Sequence, residues 1–181
     1  YFFNAGLFTD GLAIAKLGQF YAQAILNANI EFDMLYGPAY KGITLSASTA
    51  IALAGFNRNV PFAFNRKEVK DHGEGGLTIG APVSGKVLIV DDVISAGTSV
   101  RESIEVIEAT GASPCGIVIS LDRQERGTGA ESAIQQIQRD FGLPVINLFC
   151  LDDLVEYLSQ KPEMADNLSR VCKYREEYGA A

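Results

Sequence analysis

Apolar positions along the chain switch repeatedly between a helical and a strand rhythm. Leu17, Phe20, Tyr21, Ala24 and Ala28 recur at helical spacing, and residues 32–36 then read as a strand stopped by Gly37-Pro38. Residues 43–54 form a helix of small side chains closed by Gly55, residues 61–64 a short strand, and residues 65–76 a polar, glycine-rich loop. The run 87–90 is too uniformly apolar to alternate, as expected of a parallel strand covered on both faces. Val100, Ile104 and Ile107 lie on one face of the next helix, which Gly111 ends before a buried strand at 116–121. Ile134, Ile137 and Phe141 mark another helix, followed by a strand at 145–149. Leu154, Val155 and Leu158 belong to a helix capped near Asp152, and Pro162 opens a last amphipathic helix carrying Met164, Leu168 and Val171.

Strands alternating with helices predict an α/β fold, a parallel central sheet with helices on both faces. Ligands of such sheets bind beyond the carboxyl ends of the strands. Four chemically loaded segments fall there: Tyr40-Lys41, Arg66, Asp91-Asp92 and Asp122-Arg123.

The 181 residues, 48% of them hydrophobic, suit one domain spanning 1–181. A net charge of −7 argues against a general nucleic-acid surface and favours a small-molecule ligand. The three cysteines, Cys115, Cys150 and Cys172, are far apart and lack metal-ligand spacing, which fits free thiols in a reducing compartment. No stretch approaches the about 20 apolar residues that span a bilayer, and no secretory leader opens the chain, so a cytoplasmic protein is expected. Asn167-Leu168-Ser169 is then an incidental sequon. The abrupt start at Tyr1, without Met, leads us to expect an N-terminal segment upstream of this sequence.

The most informative run is 86–99, Lys-Val-Leu-Ile-Val-Asp-Asp-Val-Ile-Ser-Ala-Gly-Thr-Ser. A buried strand stops at two carboxylates, and small residues then let the backbone turn tightly and present N–H groups at a helix start. Such a turn receives an anion, while the carboxylates accept hydrogen bonds from vicinal sugar hydroxyls and suit Mg²⁺. A competing motif overlaps it. Residues 80–86 fit the first seven positions of a nucleotide-binding P-loop, but position eight is Val87 instead of a hydroxyl residue, and the run precedes a strand instead of following one. Lys86 is therefore read as an ordinary residue at a strand start.

The run 86–99 resembles the 5-phosphoribosyl-1-pyrophosphate (PRPP) signature of the type I phosphoribosyltransferases. Further strings narrow the resemblance to the orotate phosphoribosyltransferase family: residues 1–8 (YFFNAGLF), 32–42, 64–67 (FNRK), 70–76 (KDHGEGG) and 121–127 (LDRQERG). The resemblance covers nearly the whole chain. It implies the type I phosphoribosyltransferase fold, with a mobile lid loop and a small hood over the base. PRPP would be bound by Tyr40, Lys41, Arg66, Lys67, Lys70, His72, Asp91, Asp92, Val93, Ile94, Ser95, Ala96, Gly97, Thr98 and Ser99. Tyr40-Lys41 would meet the pyrophosphate at a helix start, and residues 95–99 would cup the 5-phosphate. The segment 65–76 interleaves cations with acids ahead of glycines, and the resemblance makes it a lid that reaches the neighbouring subunit's site. Lys70, His72 and Asp92 are the expected catalytic residues, His72 being suited to give a hydrogen bond or proton to the leaving pyrophosphate. Phe2, Phe3, Ser95 and Arg123 would bind orotate, whose carboxylate and carbonyls match a guanidinium. Ser95 stands where the family carries threonine and keeps the hydroxyl. A lysine that the family uses for PRPP falls before Tyr1.

The implied reaction transfers the 5-phosphoribosyl group of PRPP to orotate, giving orotidine 5′-monophosphate and pyrophosphate in pyrimidine biosynthesis, with Mg²⁺ held mainly through PRPP and by Asp91 and Asp92. A homodimer is expected, with no nucleic-acid or membrane partner. Two rivals share the PRPP signature. A phosphoribosyltransferase for another base is disfavoured by the Phe2-Phe3 and Arg123 segments. A non-catalytic PRPP sensor of transcription would carry a DNA-binding extension and a basic face, neither of which this sequence contains.

Overall fold

The computed structural model describes residues 3–70, 76–127 and 129–180, with the backbone alone for 67–70. Six strands form one sheet in the order β3-β2-β1-β4-β5-β6: β1 Met34–Gly37, β2 Phe62–Lys70, β3 Gly76–Gly80, β4 Lys86–Val90, β5 Ser113–Asp122 and β6 Val145–Cys150. All neighbours run parallel except β3, which pairs antiparallel with β2 at the edge. The α-helices among the described residues are α1 Gly11–Ala28, α2 Lys41–Gly55, α3 Thr98–Ala109, α4 Ala133–Phe141, α5 Leu151–Ser159 and α6 Ala165–Tyr178.

The uniform apolar runs of the central strands follow from cover on both faces. Met34, Tyr36, Val87, Ile89, Ile117 and Ile119 point to one side, where Val100, Ile104 and Ile107 of α3 and Ile134 and Ile137 of α4 meet them. Leu35, Leu88, Val90 and Val118 point to the other, against Leu17, Tyr21 and Ile25 of α1 and Leu45 and Leu53 of α2. Side chains of successive strand residues thus feed opposite cores. A third cluster joins Leu151 and Leu158 of α5 to Val171 of α6, with Met164 and Leu168 packed against it.

Four expectations need correction. The segment 65–76 is not wholly loop, because β2 runs on through Lys70 and β3 begins at Gly76. The extension of β2 carries no apolar alternation over 65–70, and β3 offers only Leu77 and Ile79 between glycines. The buried face of α1 is Leu17, Gly18, Tyr21, Ala22 and Ile25, whereas Phe20 is 54% exposed. The cap of α5 is Cys150, whose N–H donates to Asp153 Oδ2 at 2.7 Å, and not Asp152. Pro162 opens a short 3₁₀ turn, and α6 itself starts at Ala165. Lys86 does begin β4, ion-paired to Glu31 at 2.7 Å. The three cysteines are free thiols, and among the described residues no helix is long and apolar enough to cross a membrane.

Candidate active site

The strand order reverses between β1 and β4, so the connections leaving their carboxyl ends diverge and open a crevice there. The acidic pair sits on the β4 side. Asp91 N–H donates to Val118 O at 3.0 Å, and Asp92 O accepts from Ser120 N at 2.9 Å, which ties both residues to β5. From α1, Tyr21 Oη donates to Asp91 O at 2.7 Å and lies 2.5 Å from Ser120 Oγ. Asp91 and Asp92 are only 7% and 5% exposed. The Asp91 carboxylate accepts from Asp92 N at 2.9 Å and from Ser99 Oγ at 3.2 Å. Burial nevertheless pushes its pKa up to about 6, the Asp92 charge adding to the effect while these two donors and Lys41 oppose it.

Beyond the acids the chain turns through residues 93–97, with Ile94 and Gly97 buried and Ser95 and Ala96 exposed. Gly97 caps α3 at φ 74°, a left-handed conformation natural to glycine. Its own side offers no capping group to the helix, so the first amides of α3 face the turn, where an anion is stabilised.

On the β1 side the backbone is packed without clearance. A Cβ on Gly37 would lie 2.0 Å from Gly42 O, and one on Gly42 would lie 2.8 Å from Val90 O. Only glycines allow the start of α2 to sit against the ends of β1 and β4. That approach brings Lys41 Nζ to 2.5 Å from Asp92 Oδ2. Asn65 of β2 completes the turn by accepting Ala39 N–H at 2.7 Å. Tyr40 is 68% exposed, and Arg66 on β2 is half-buried.

At the end of β5, Arg123 and Glu125 form an ion pair of 2.7 Å. Arg123 shares the walls of a cavity of about 140 Å³ with Ile94, Ser95, Asp122, Ser132 and Ile134. This cavity joins the turn after β4 to the loop after β5.

The profile of the phosphoribosyl transferase domain family matches residues 6–132. An orotate phosphoribosyltransferase of Yersinia enterocolitica is 58% identical over 180 residues, covering 99% of this chain and 84% of that protein. The chain belongs to the orotate phosphoribosyltransferase family. The orotate phosphoribosyltransferase of Laribacter hongkongensis is 60% identical over 179 residues, again covering 99% of this chain and 84% of the relative. A crystal structure of orotate phosphoribosyltransferase from Francisella tularensis is 38% identical with a TM-score of 0.86, covering 99% of this chain and 86% of that one.

Within this member of the orotate phosphoribosyltransferase family, the fold brings together Lys41 with Asp92, Asp91 with Ser99, and Ser95 with Arg123. Phe3 stands in a different place: it packs on Phe8 and Phe149 at ring distances of 5.8 and 6.1 Å and lines an apolar cavity with Leu17, Phe20 and Leu148. Phe2 and His72 lie outside the described residues, as do the side chains of Lys67 and Lys70. Sequence reasoning passed over Tyr21, Asn65, Glu125 and Tyr174. Asn65 and Glu125 lie within the family strings 64–67 and 121–127 and were open to discovery there, whereas Tyr21 and Tyr174 have partners that only the folded chain supplies.

Proposed function

We propose that the chain transfers the 5-phosphoribosyl group of PRPP to N1 of orotate, releasing pyrophosphate and forming orotidine 5′-monophosphate. The observation that carries this reading is the shared cavity of Ser95 and Arg123, which sets a guanidinium beside the phosphate turn in a chain 58–60% identical to orotate phosphoribosyltransferases. A carboxylated pyrimidine in that cavity would have its anionic edge toward Arg123 and its N1 toward the ribose.

In this reading the amides and hydroxyls of residues 95–99 hold the 5-phosphate, and Asp91 and Asp92 accept the ribose hydroxyls. As the anomeric C–O bond breaks, positive charge develops on the ribose, negative charge develops on pyrophosphate, and the N1–C1′ bond forms while N1 gives up its proton, for which the departing pyrophosphate is an acceptor. Lys41 and the cations of the lid segment, Arg66, Lys67, Lys70 and His72, would stabilise the leaving group, and closure would keep water from the sugar cation. The family resemblance would add Phe2 and Phe3 to the base site, but Phe3 packs on Phe8 and Phe149 in a separate apolar cavity, so the proposed base contacts are Ser95 and Arg123.

Mg²⁺ binds through one or two carboxylates plus substrate phosphates and keeps several waters, a demand that the oxygen donors of Asp91 and Asp92 match. When bound with PRPP it would neutralise pyrophosphate charge. We further propose a homodimer in which the lid segment of one subunit serves the site of the other.

The reading is tested by incubating the protein with PRPP and Mg²⁺ and offering orotate, uracil, adenine or hypoxanthine in turn. Loss of orotate absorbance with orotate alone, abolished by chelation, is the expected result. Turnover of another base, or PRPP binding without turnover of any base, would overturn it.

A further inference from the structure

The base-binding loop is gripped by the last helix. Arg126 N–H donates to Tyr178 O at 2.9 Å, and Ala180 N–H donates to Gln124 O at 2.8 Å. The Gln124 side chain exchanges two hydrogen bonds with Asp152 at the start of α5, which Arg175 of α6 holds at 2.8 Å. These contacts fix the loop backbone. Within the clasp, one set of contacts reaches the guanidinium itself.

Arg123 Nη2 donates to Tyr174 Oη at 3.3 Å and pairs with Glu125 Oε2 at 2.7 Å. Tyr174 Oη in turn donates to Glu125 Oε1. The three groups close a ring of hydrogen bonds around one nitrogen, and the Tyr174 ring is anchored by Tyr178 at 4.5 Å between centroids. An arginine side chain has several rotatable bonds and is left diffuse unless its surroundings hold it. Arg123 and Glu125 are both about three-quarters buried, so the ring is screened from bulk water.

We propose that Tyr174 and Glu125 are positioning residues for the base: they hold the Arg123 guanidinium in the orientation that receives the carboxylate of orotate. The inference rests on the reading of Arg123 as an orotate contact. Glu125 fixes the guanidinium by charge. Tyr174, donating to one carboxylate oxygen and accepting from Nη2, sets the angle between the two side chains. Helix α6 therefore contributes to base recognition through a hydroxyl that is assigned no contact with the base.

Tyr174→Phe removes the hydroxyl and keeps the ring on Tyr178, so the packing of α6 is preserved. The expected result is a rise of roughly tenfold in the KM for orotate, with the KM for PRPP and kcat at saturation nearly unchanged. Glu125→Gln should move the same constant in the same direction. The decisive measurement is the cycle with Arg123→Ala, followed by orotate KM or, where turnover is too slow, by calorimetric binding of orotidine 5′-monophosphate. If Tyr174 acts through Arg123, Tyr174→Phe adds nothing in the Arg123→Ala background. Additive losses, or equal losses in the PRPP and orotate constants, would show a general structural role and overturn the inference. An orotate KM raised by Arg123→Ala but untouched by Tyr174→Phe and Glu125→Gln would sink the inference alone. Indifference to Arg123→Ala would instead remove the base-site reading beneath it.

Discussion

Asp91 carries two demands that oppose each other. Burial raises its pKa from about 3.8 to about 6, so the folded chain binds that proton more readily than the unfolded one. Its contribution to stability is therefore fully present below about pH 4 and is lost as pH rises through 6, a change on the order of 3 kcal/mol. Asp91→Asn should be more resistant to urea than the parent at pH 8 and should lose most of that advantage by about pH 4.5 and the rest below about pH 4. Its Oδ1 would still accept from Asp92 N–H, so the turn is preserved. The proposed contact with the ribose needs the ionised form, so PRPP affinity of the parent should fall as pH drops below 6, while stability moves the other way. Denaturation curves and PRPP titrations over the same pH series check both signs. The acids themselves were legible, since a strand that ends in Asp-Asp before a small-residue turn is a local pattern. Their support was not. Tyr21 lies 70 and 99 residues from its partners, and Tyr174 lies 49 and 51 from its own.

Among the elements, the β1–α2 turn shows how close approach constrains composition. Gly37→Ala would force a Cβ to 2.0 Å from Gly42 O and 2.4 Å from Ser46 Oγ, and a backbone oxygen has little room to yield. We expect a loss of about 1–3 kcal/mol or more in unfolding free energy, together with weaker PRPP binding as the start of α2 moves. Gly55→Ala, at the far end of the same helix, meets nothing within 4 Å and serves as the control, with little or no loss expected. Thermal unfolding of both variants beside the parent makes the comparison. Most elements were readable because their apolar periods are fixed by the two cores. The β2–β3 hairpin escaped because β2 beyond Asn65 follows charge instead of hydrophobicity, while β3, Gly-Leu-Thr-Ile-Gly, is a five-residue edge strand whose two alternating apolar residues are too short a signal beside so many glycines. The α5 cap was displaced by two residues for a simpler reason: Asp152 and Asp153 both suit a first turn, and only geometry decides that Asp153 bonds back to Cys150.

At the level of the whole molecule, the reversal of strand order makes Lys41 and Asp92 neighbours across 51 residues of sequence. The alternation of elements predicted a sheet of this class, and the motifs singled out Lys41, Asp91 and Asp92, which the fold brings to adjacent strand ends. Strand order itself is not a local property and became known only from the fold. The proposed sharing of the lid between subunits belongs to this scale too. Lys70→Ala should lower turnover at least about 10²-fold, with a smaller effect on PRPP binding. Mixing Lys70→Ala and Asp92→Asn subunits by unfolding and refolding should then regenerate roughly a quarter of parental activity, since a hybrid dimer has one intact site only if the lid crosses over. A lid serving its own subunit would give no recovery.

The buried link from the Asp91 carbonyl through the Tyr21 hydroxyl to Ser120 joins the end of β4, α1 and β5 in one place. Fixing the backbone of a residue costs about 1–2 kcal/mol in lost conformational entropy. For the two acids that cost is incurred once, when the core folds, and would not recur at each encounter with the ribose they are proposed to bind. Selection at Tyr21, whose hydroxyl is engaged by Asp91 and Ser120, would therefore act on how often a collision with substrate finds its proposed acceptors already in place.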